Sequence, residues 1–329
     1  MKISVIGGSG FIGSYLCRRL AESGQDFEII DLKPSPIYPD RTKLADIRDK
    51  AALSKAVAGE AIIHLAAVHR DDVRDRSLYY TTNVDGTRNV LDVASAKNIR
   101  KIVYTSSVAI YGFAPPDTGE DGDIAPFNDY GKSKYESELI ANAWHAEAPD
   151  ERSLTIIRPT VVFGVGNRGN VYNLLRQIHS GLFMMVGRGT NRKSMAYVEN
   201  VAAFLEHALA RGEGLQIVNY IDKPDYDMNT LVRQVRGTLK GKADVGLRLP
   251  YGLAVNAGRM LDLVSGITGK RFPISALRIR KFCSETSFST AIGEIFDYTP
   301  PFTLEEAFEK TLTDEFIKEE TPMGVFYTE

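Results

Sequence analysis

The chain has 329 residues, 43% of them hydrophobic, which suits one large or two modest domains with a full core and argues against wholesale disorder. Its formal net charge of −2 gives no general attraction to nucleic acid or to an anionic membrane surface. No run of about 18 apolar residues is present to span a bilayer, and MKISVIGG lacks the apolar stretch of a signal peptide.

Cys17 and Cys283 have no metal-ligand spacing and fit a reducing cytoplasm, with a disulfide between them left open. The histidines are scattered without a ligand pair, so no metal site is expected.

In chain order, the first element is ISVI (3–6), a buried strand. A helix follows over 11–23, with Ile12, Leu16 and Leu20 on one face. Between them, GGSGFIG places three glycines with separate tasks. Gly7 allows a sharp strand-to-helix turn, Gly10 a close approach of backbone to a pyrophosphate, and Gly13 tight packing of helix on strand. Phe11 and Ile12 stand at the helix N-terminus, where amide groups and the helix dipole favour an anion. FEIID (27–31) is the second strand and ends on Asp31, an acceptor for both ribose hydroxyls of NAD that repels the 2′-phosphate of NADP. Lys33 softens that repulsion, so NAD is expected and NADP stays open.

Asp46 and Ile47 lie in LADIRD, where Asp46 suits either the adenine amino group or the N-cap of a helix over 48–57. AIIHLA (61–66) is a third strand. Leu65, Ala66 and Ala67 at its end are small enough to lie against a dinucleotide. A helix over 82–97 begins in NVDGT, and KIVYTS (101–106) is the next strand, ending in Thr105, Ser106 and Ser107. The segment 112–129 is rich in Pro, Gly and Asp and reads as a loop whose acidity serves solvation.

DYGKSKYESE opens a helix over 130–146, with Asn128 or Asp129 as its cap. Tyr130 and Lys134 share one face. A lysine favours the phenolate, but lowering a tyrosine from about 10 by three units takes roughly 4 kcal/mol. Lys134 together with a bound cationic nicotinamide in a desolvated site suffices. Tyr130 then serves as base for an alcohol being oxidised or as acid for a carbonyl being reduced. Ser106 or Ser107 offers a hydroxyl to orient the reacting oxygen.

LTIIRP (154–159) and LQIVNY (215–220) are further strands, separated by a helix over 197–211. The intervening stretch 163–194 is rich in glycine and arginine, with a helix beginning near Asn170. From Asp222 the chain reads as mostly helical, ending in an amphipathic helix within 300–320. The expected fold is α/β: a doubly wound parallel (Rossmann) sheet with a smaller, mostly helical C-terminal substrate domain. Residues 1–165 and 195–222 would bind the dinucleotide, and 166–194 and 223–329 the substrate.

GGSGFIG (7–13), Asp31, DI (46–47), HLAA (64–67), NVDGTRNVLD (83–92), SSVAIYG (106–112), YGKSK (130–134) and RPTVVFG (158–164) together resemble the extended short-chain dehydrogenase/reductase family. The similarity is strongest to its nucleotide-sugar epimerase, dehydratase and ketoreductase branch. It implies Ser107, Tyr130 and Lys134 as the catalytic group. Gly7, Gly10, Phe11, Ile12, Gly13, Asp31, Asp46, Ile47, Leu65, Ala66, Ala67, Asn83, Ser106, Tyr130, Lys134 and Pro159 would lie along the cofactor. Ser107, Arg168, Asn170, Val171, Lys193 and Arg280 would meet the substrate. Arg192 and Lys193 supply charge before YVEN, and many relatives carry arginine at the position of Lys193.

Dehydratases of this branch carry an acidic pair after the catalytic hydroxyl, where this chain has Val108 and Ala109. Dehydration is thereby disfavoured, and Asp31, by favouring NAD, tips the reading to an NAD-dependent epimerase working at C4 of a nucleotide-diphosphate hexose, UDP-linked by preference. A 4-ketoreductase of a nucleotide keto-sugar is the alternative. A non-catalytic NAD(P) sensor is disfavoured by retention of both Tyr130 and Lys134, and a reductase of steroid-like alcohols by the arginines of 168–193. The family also implies a homodimer built on the helices over 82–97 and 130–146.

Overall fold

A computed structural model describes residues 1–70, 73–268 and 275–327. The first half alternates strand and helix: β1 (Ile3–Ile6), α1 (Phe11–Glu22), β2 (Phe27–Asp31), β3 (Thr42–Leu44), α2 (Lys50–Ala56), β4 (Ala61–His64), α3 (Gly86–Ala96), β5 (Lys101–Thr105), α4 (Asp129–Ala146) and β6 (Ser153–Pro159). There follow β7 (Val161–Phe163), α5 (Asn170–Ser180), β8 (Met185–Val186), β9 (Arg192–Lys193), β10 (Met195–Tyr197), α6 (Val198–Arg211) and β11 (Leu215–Tyr220). The chain continues through β12 (Tyr226–Asp227), α7 (Met228–Lys240), β13 (Arg248–Leu249), α8 (Tyr251–Thr268), α9 (Ala276–Cys283), α10 (Ile292–Ile295) and α11 (Leu304–Phe316).

The main sheet has seven strands in the order β11-β6-β5-β4-β1-β2-β3, all paired in parallel. This is the expected doubly wound fold. Side chains alternate between its two covered faces. Val5, Ile29, Ile63 and Val103 pack with Leu16 and Leu20 of α1 and Phe204 and Leu205 of α6. Ile6, Ile30, Ile62 and Ile102 pack with Leu53 of α2, Val90 and Leu91 of α3, and Trp144 of α4. Two-sided burial explains why these strands carry nearly continuous apolar runs. β3 escaped sequence reading because Thr42, Lys43 and Leu44 form a short, largely exposed edge.

The strand order reverses beside β1, leaving a crevice at the carboxyl ends of β1 and β4, where ligands of such sheets bind. The expected 48–57 helix begins at Lys50, because Asp49 caps it by accepting from Ala51 N and Ala52 N. Asp46 is therefore not the cap. Its carboxylate is instead gripped by the Arg48 guanidinium. The 82–97 helix is preceded by a π-turn, Tyr79–Asp85, before α3 proper.

The later segments are helical but joined by three two-stranded ribbons, β7–β10, β9–β12 and β8–β13. α11 closes the main core through Leu304, Phe308 and Leu312, and Thr303 and Glu306 form a capping box at its start. α8 and α9 pack on each other through Ala254, Val255, Ala276 and Ile279, a small cluster separate from the main core. The acidic loop over 112–129 does more than solvate. Glu120 accepts from Asn219 N and Ala291 N, and Asp117 pairs with Arg192, because the loop is folded against later parts of the chain. Cys17 and Cys283 are both free thiols.

Candidate functional site

Gly7 has φ +84°, and a Cβ there would lie 2.6 Å from Ala66 N. Glycine thus lets the turn after β1 lie directly against the 65–67 segment, whose Leu65 and Ala66 amides donate to Ile6 O. A Cβ on Gly13 would collide with Gly7 O, so that glycine sets how closely α1 approaches the turn. No side chain caps α1 at Gly10. The first-turn amides of Phe11, Ile12 and Gly13 are thereby left to an external acceptor.

Asp31, at the tip of β2, accepts from Ser9 N at 3.0 Å and Leu32 N at 2.7 Å. Its carboxylate is held beside the glycine turn. A close-approach backbone cradle at a helix N-terminus, with an acid at the end of the second strand, has the donors and acceptors a dinucleotide requires. Ile47 is buried against Gly86, where a Cβ would stand 2.6 Å from Ile47 Cδ1.

Asn83, fully buried, clamps the segment after β4: its side chain pairs with Val68 N at 2.7 Å and Val68 O at 2.9 Å. The same amide donates to Ser133 Oγ at 2.9 Å, which ties this segment to α4. Its placement is structural, between the cofactor crevice and the helix that carries Tyr130.

α4 begins where Asn128 Oδ1 accepts Gly131 N at 2.8 Å. Tyr130 lies in this first turn and Lys134 one turn further on. Ser107 caps the short turn Val108–Tyr111, its Oγ accepting Ala109 N at 3.1 Å. Gly131 packs against Ala109, which brings the Tyr130 turn up to the Ser107 turn. Lys134 is 2% exposed, donates to Thr105 O, and stands 4.4 Å from the Tyr104 ring. Burial pulls its ammonium down to about 7, against the opposing pull of Glu138. Thr105 Oγ1 and Ser106 Oγ are buried and have no hydrogen-bond partner among the described residues, so this strand end leaves polar atoms unsatisfied beside the crevice. Ser106 N is fixed to Ile157 O at 2.6 Å, and Pro159 ends the neighbouring strand.

Sequence reading missed Arg158. Its guanidinium forms a bidentate pair with Glu138 of α4, at 3.0 and 2.7 Å, and reaches Tyr111 OH at 2.7 Å. It thereby locks β6, α4 and the Ser107 turn together. The signal available was Glu138, an acid one turn beyond Lys134 on an otherwise packed helix face.

A cavity of about 720 Å³ lies among the 186–191 segment, the β13–α8 junction and the end of α9. Arg188, Arg248 and Arg280 line it, with Tyr251 and Cys283. Arg248 is steadied by Asn229 Oδ1 at 2.7 Å and the carbonyl of Arg188 at 2.9 Å. Next to Arg280 on α9, Lys281 stands 5.0 Å from the Phe127 ring, three residues before Tyr130. Lys281 thereby links the end of α9 to the segment that leads into α4.

Of the phosphate-binding candidates named from sequence, Arg280 lines this cavity. The stretch 258–282 that holds it includes 269–274, outside the described residues. Arg168 points elsewhere: Glu315 holds it at 2.8 Å and it lies over the Tyr172 ring at 4.0 Å. Asn170 begins α5, and Val171 packs into the core. Lys193 donates to the carbonyls of Lys281 and Ser284, at 3.1 and 2.6 Å, and so fastens the end of α9. Burial lowers its ammonium to about 8. Arg192 pairs with Asp117 and Glu285. Arg188 and Arg248 are far apart in sequence and meet only through the pairing of β8 with β13.

Residues 3–220 match the NAD dependent epimerase/dehydratase family. The chain is 46% identical over 320 residues, 96% of each chain, to the N-acetyl-alpha-D-glucosaminyl-diphospho-ditrans,octacis-undecaprenol 4-epimerase of Escherichia coli O157:H7. Among solved structures, a UDP-glucose 4-epimerase from Thermotoga maritima shares the fold with TM-score 0.74 at 20% identity, covering 97% of this chain and 100% of that one. A UDP-N-acetylglucosamine 4-epimerase from Bacillus cereus also superposes with TM-score 0.74, at 18% identity, covering 95% and 98%.

Proposed function

The chain belongs to the NAD-dependent epimerase/dehydratase family, and from that premise we propose that it inverts C4 of an N-acetylhexosamine held on a diphosphate. One observation carries the substrate class: the 46% identity, over 96% of both chains, to a 4-epimerase of a diphosphate-linked N-acetylglucosamine. The cofactor is NAD.

Gly7, Gly10, Phe11, Ile12 and Gly13 would hold the NAD pyrophosphate, Asp31 its adenosine ribose, and Asp46 and Ile47 the adenine edge. Leu65, Ala66 and Ala67 lie alongside. Bound there, NAD would supply the hydride acceptor and donor that inversion at C4 requires. Tyr130, as phenolate, takes the proton of the 4-hydroxyl and later gives it back to the same oxygen. Ser107 donates a hydrogen bond to that oxygen and keeps it near Tyr130. Lys134, as ammonium, favours the phenolate, and a phenolate in turn favours the ammonium. Val108 and Ala109 carry no proton to expel water, so the cycle ends in inversion. Arg188, Arg248 and Arg280 of the cavity grip the diphosphate, while Arg168 is turned toward Glu315.

The substrate unit comprises 166–194 and 223–329, and the cofactor unit the remainder. A homodimer through α3 and α4 accompanies this reading, and light scattering coupled to size exclusion tests it. Mass spectrometry of released cofactor, followed by chromatography of the sugar freed from UDP-N-acetylglucosamine or from its polyprenyl-diphosphate counterpart, tests the function. Retained NAD, with the galacto isomer formed and no net change in reduced-nicotinamide absorbance, is the expected result. Absence of inversion on both substrates by NAD-loaded protein rejects it, and net NADH consumption on a keto-sugar replaces it with a ketoreductase.

A further inference from the structure

α8 is apolar on two faces. Its inner face, Ala254, Val255 and Gly258, packs on α9 so closely that a Cβ on Gly258 would lie 2.7 Å from Ala276 N. The opposite face carries Leu253, Ala257 and Met260 at helical spacing, flanked by Leu263. Leu253 is 61% exposed, Met260 70% and Leu263 67%. Large aliphatic side chains in a row on an outward helix face are unfavourable in water. The single acid of this helix, Asp262, is engaged by Ala276 N.

This stripe adjoins the arginine-lined cavity. Tyr251 begins α8 and lines the cavity, and Arg280 enters it from α9. Leu247, 76% exposed, directly precedes Arg248, and Leu277 on α9 is also exposed. Exposed Arg259 lies beside the stripe, and Lys281 beside the cavity. Cations around an apolar helix face match an anionic lipid surface: aliphatic groups enter the acyl boundary while cations meet headgroup phosphates. No helix among the described residues is long and apolar enough to cross a membrane, so the helix would lie in the surface.

We infer that the outer face of α8 docks in the surface of an anionic lipid bilayer and presents the arginine-lined cavity to a sugar diphosphate carried there on a polyprenyl chain. This rests on the reading of the site as a sugar-diphosphate 4-epimerase. The overall charge of −2 does not oppose it, because charges farther than about 8–10 Å from the surface are screened.

Flotation with vesicles of phosphatidylethanolamine and phosphatidylglycerol tests the surface independently of turnover. The whole protein is expected to float, and the combined variant Leu253→Ser, Met260→Ser, Leu263→Ser to bind at least about tenfold more weakly, having lost three buried aliphatic groups. That variant should retain its rate on a water-soluble, short-chain diphosphate sugar and lose about tenfold or more on the long-chain substrate in vesicles. A wild-type protein that stays in solution, or a variant that floats equally well, overturns the inference while leaving epimerisation of the short substrate intact. A variant that changes only from dimer to monomer by light scattering, with unaltered flotation, assigns the face to a second copy of the chain and also overturns it. Absence of inversion on every sugar diphosphate, with flotation preserved, rejects the function reading instead.

Discussion

Gly131 and Ala109 approach so closely that a Cβ on Gly131 would stand 2.5 Å from the Ala109 carbonyl oxygen. One belongs to the first turn of the helix carrying Tyr130, the other to the turn capped by Ser107. Their contact sets the spacing of the turn that holds Tyr130 and the turn that holds Ser107, the pair proposed to handle the proton and orient the reacting oxygen.

Replacing Gly131 with alanine should therefore separate the two turns while improving the local helix propensity. A shift of about 1 Å at a reacting centre costs on the order of 10²-fold in rate. The expected outcome is that loss in kcat with NAD affinity unchanged, read by steady-state kinetics and cofactor titration. Full activity would show that Tyr130 and Ser107 do not depend on this contact.

Lys134 offers a pH test. Burial holds its ammonium at about 7 in the fold, against an ordinary 10.5. Between those values the unfolded chain binds a proton that the folded chain does not, so stability rises with pH across that window and the burial penalty is greatest below 7. Lys134→Met should lose at least about 10²-fold in activity. Its thermal stability relative to wild type should be highest near pH 6 and decline as pH rises toward 10. A stability difference that does not vary with pH would place the wild-type ammonium in water.

Asp31 accepts the backbone amides of Ser9, Leu32 and Lys33, and is proposed to hold the adenosine ribose. Asp31→Asn keeps its shape and removes its charge. It should weaken NAD binding by roughly tenfold, the worth of one charge-assisted hydrogen bond. NADP binding should hold or improve, since the repelling carboxylate is gone. Fluorescence titration with both cofactors reads the ratio, and an unchanged ratio would remove Asp31 from cofactor choice.

Arg158 and Glu138 are 6% and 1% exposed at their side chains. Arg158→Met strands a buried carboxylate and should cost about 3–5 kcal/mol of stability. Pairing it with Glu138→Leu should recover much of the loss, because two apolar partners leave no uncompensated charge. Denaturant unfolding of the single and double variants measures both. Additive losses would mean the pair is not a unit.

The cofactor half was legible because its chemistry is local. A glycine triplet between strand and helix, an acid at the next strand end, and a tyrosine and lysine one turn apart each lie within a few consecutive residues. Strands buried on both faces announced themselves as apolar runs. A short polar edge such as β3 carries no such pattern, and Asp49 rather than the expected Asp46 caps α2 because the helix starts two residues later, at Lys50.

The substrate half was decided by contacts between distant segments. Arg168 and Lys193 read as free cations, yet Glu315 and the carbonyls of Lys281 and Ser284 occupy them. Arg188 and Arg248 gained a shared cavity only through the pairing of β8 with β13. Residue type and spacing along the chain thus determined the fold and placed Tyr130 and Lys134 one turn apart on one helix. Which charges remained available to a ligand was decided by tertiary structure, because a buried or neighbouring opposite partner satisfies a cation before any ligand arrives.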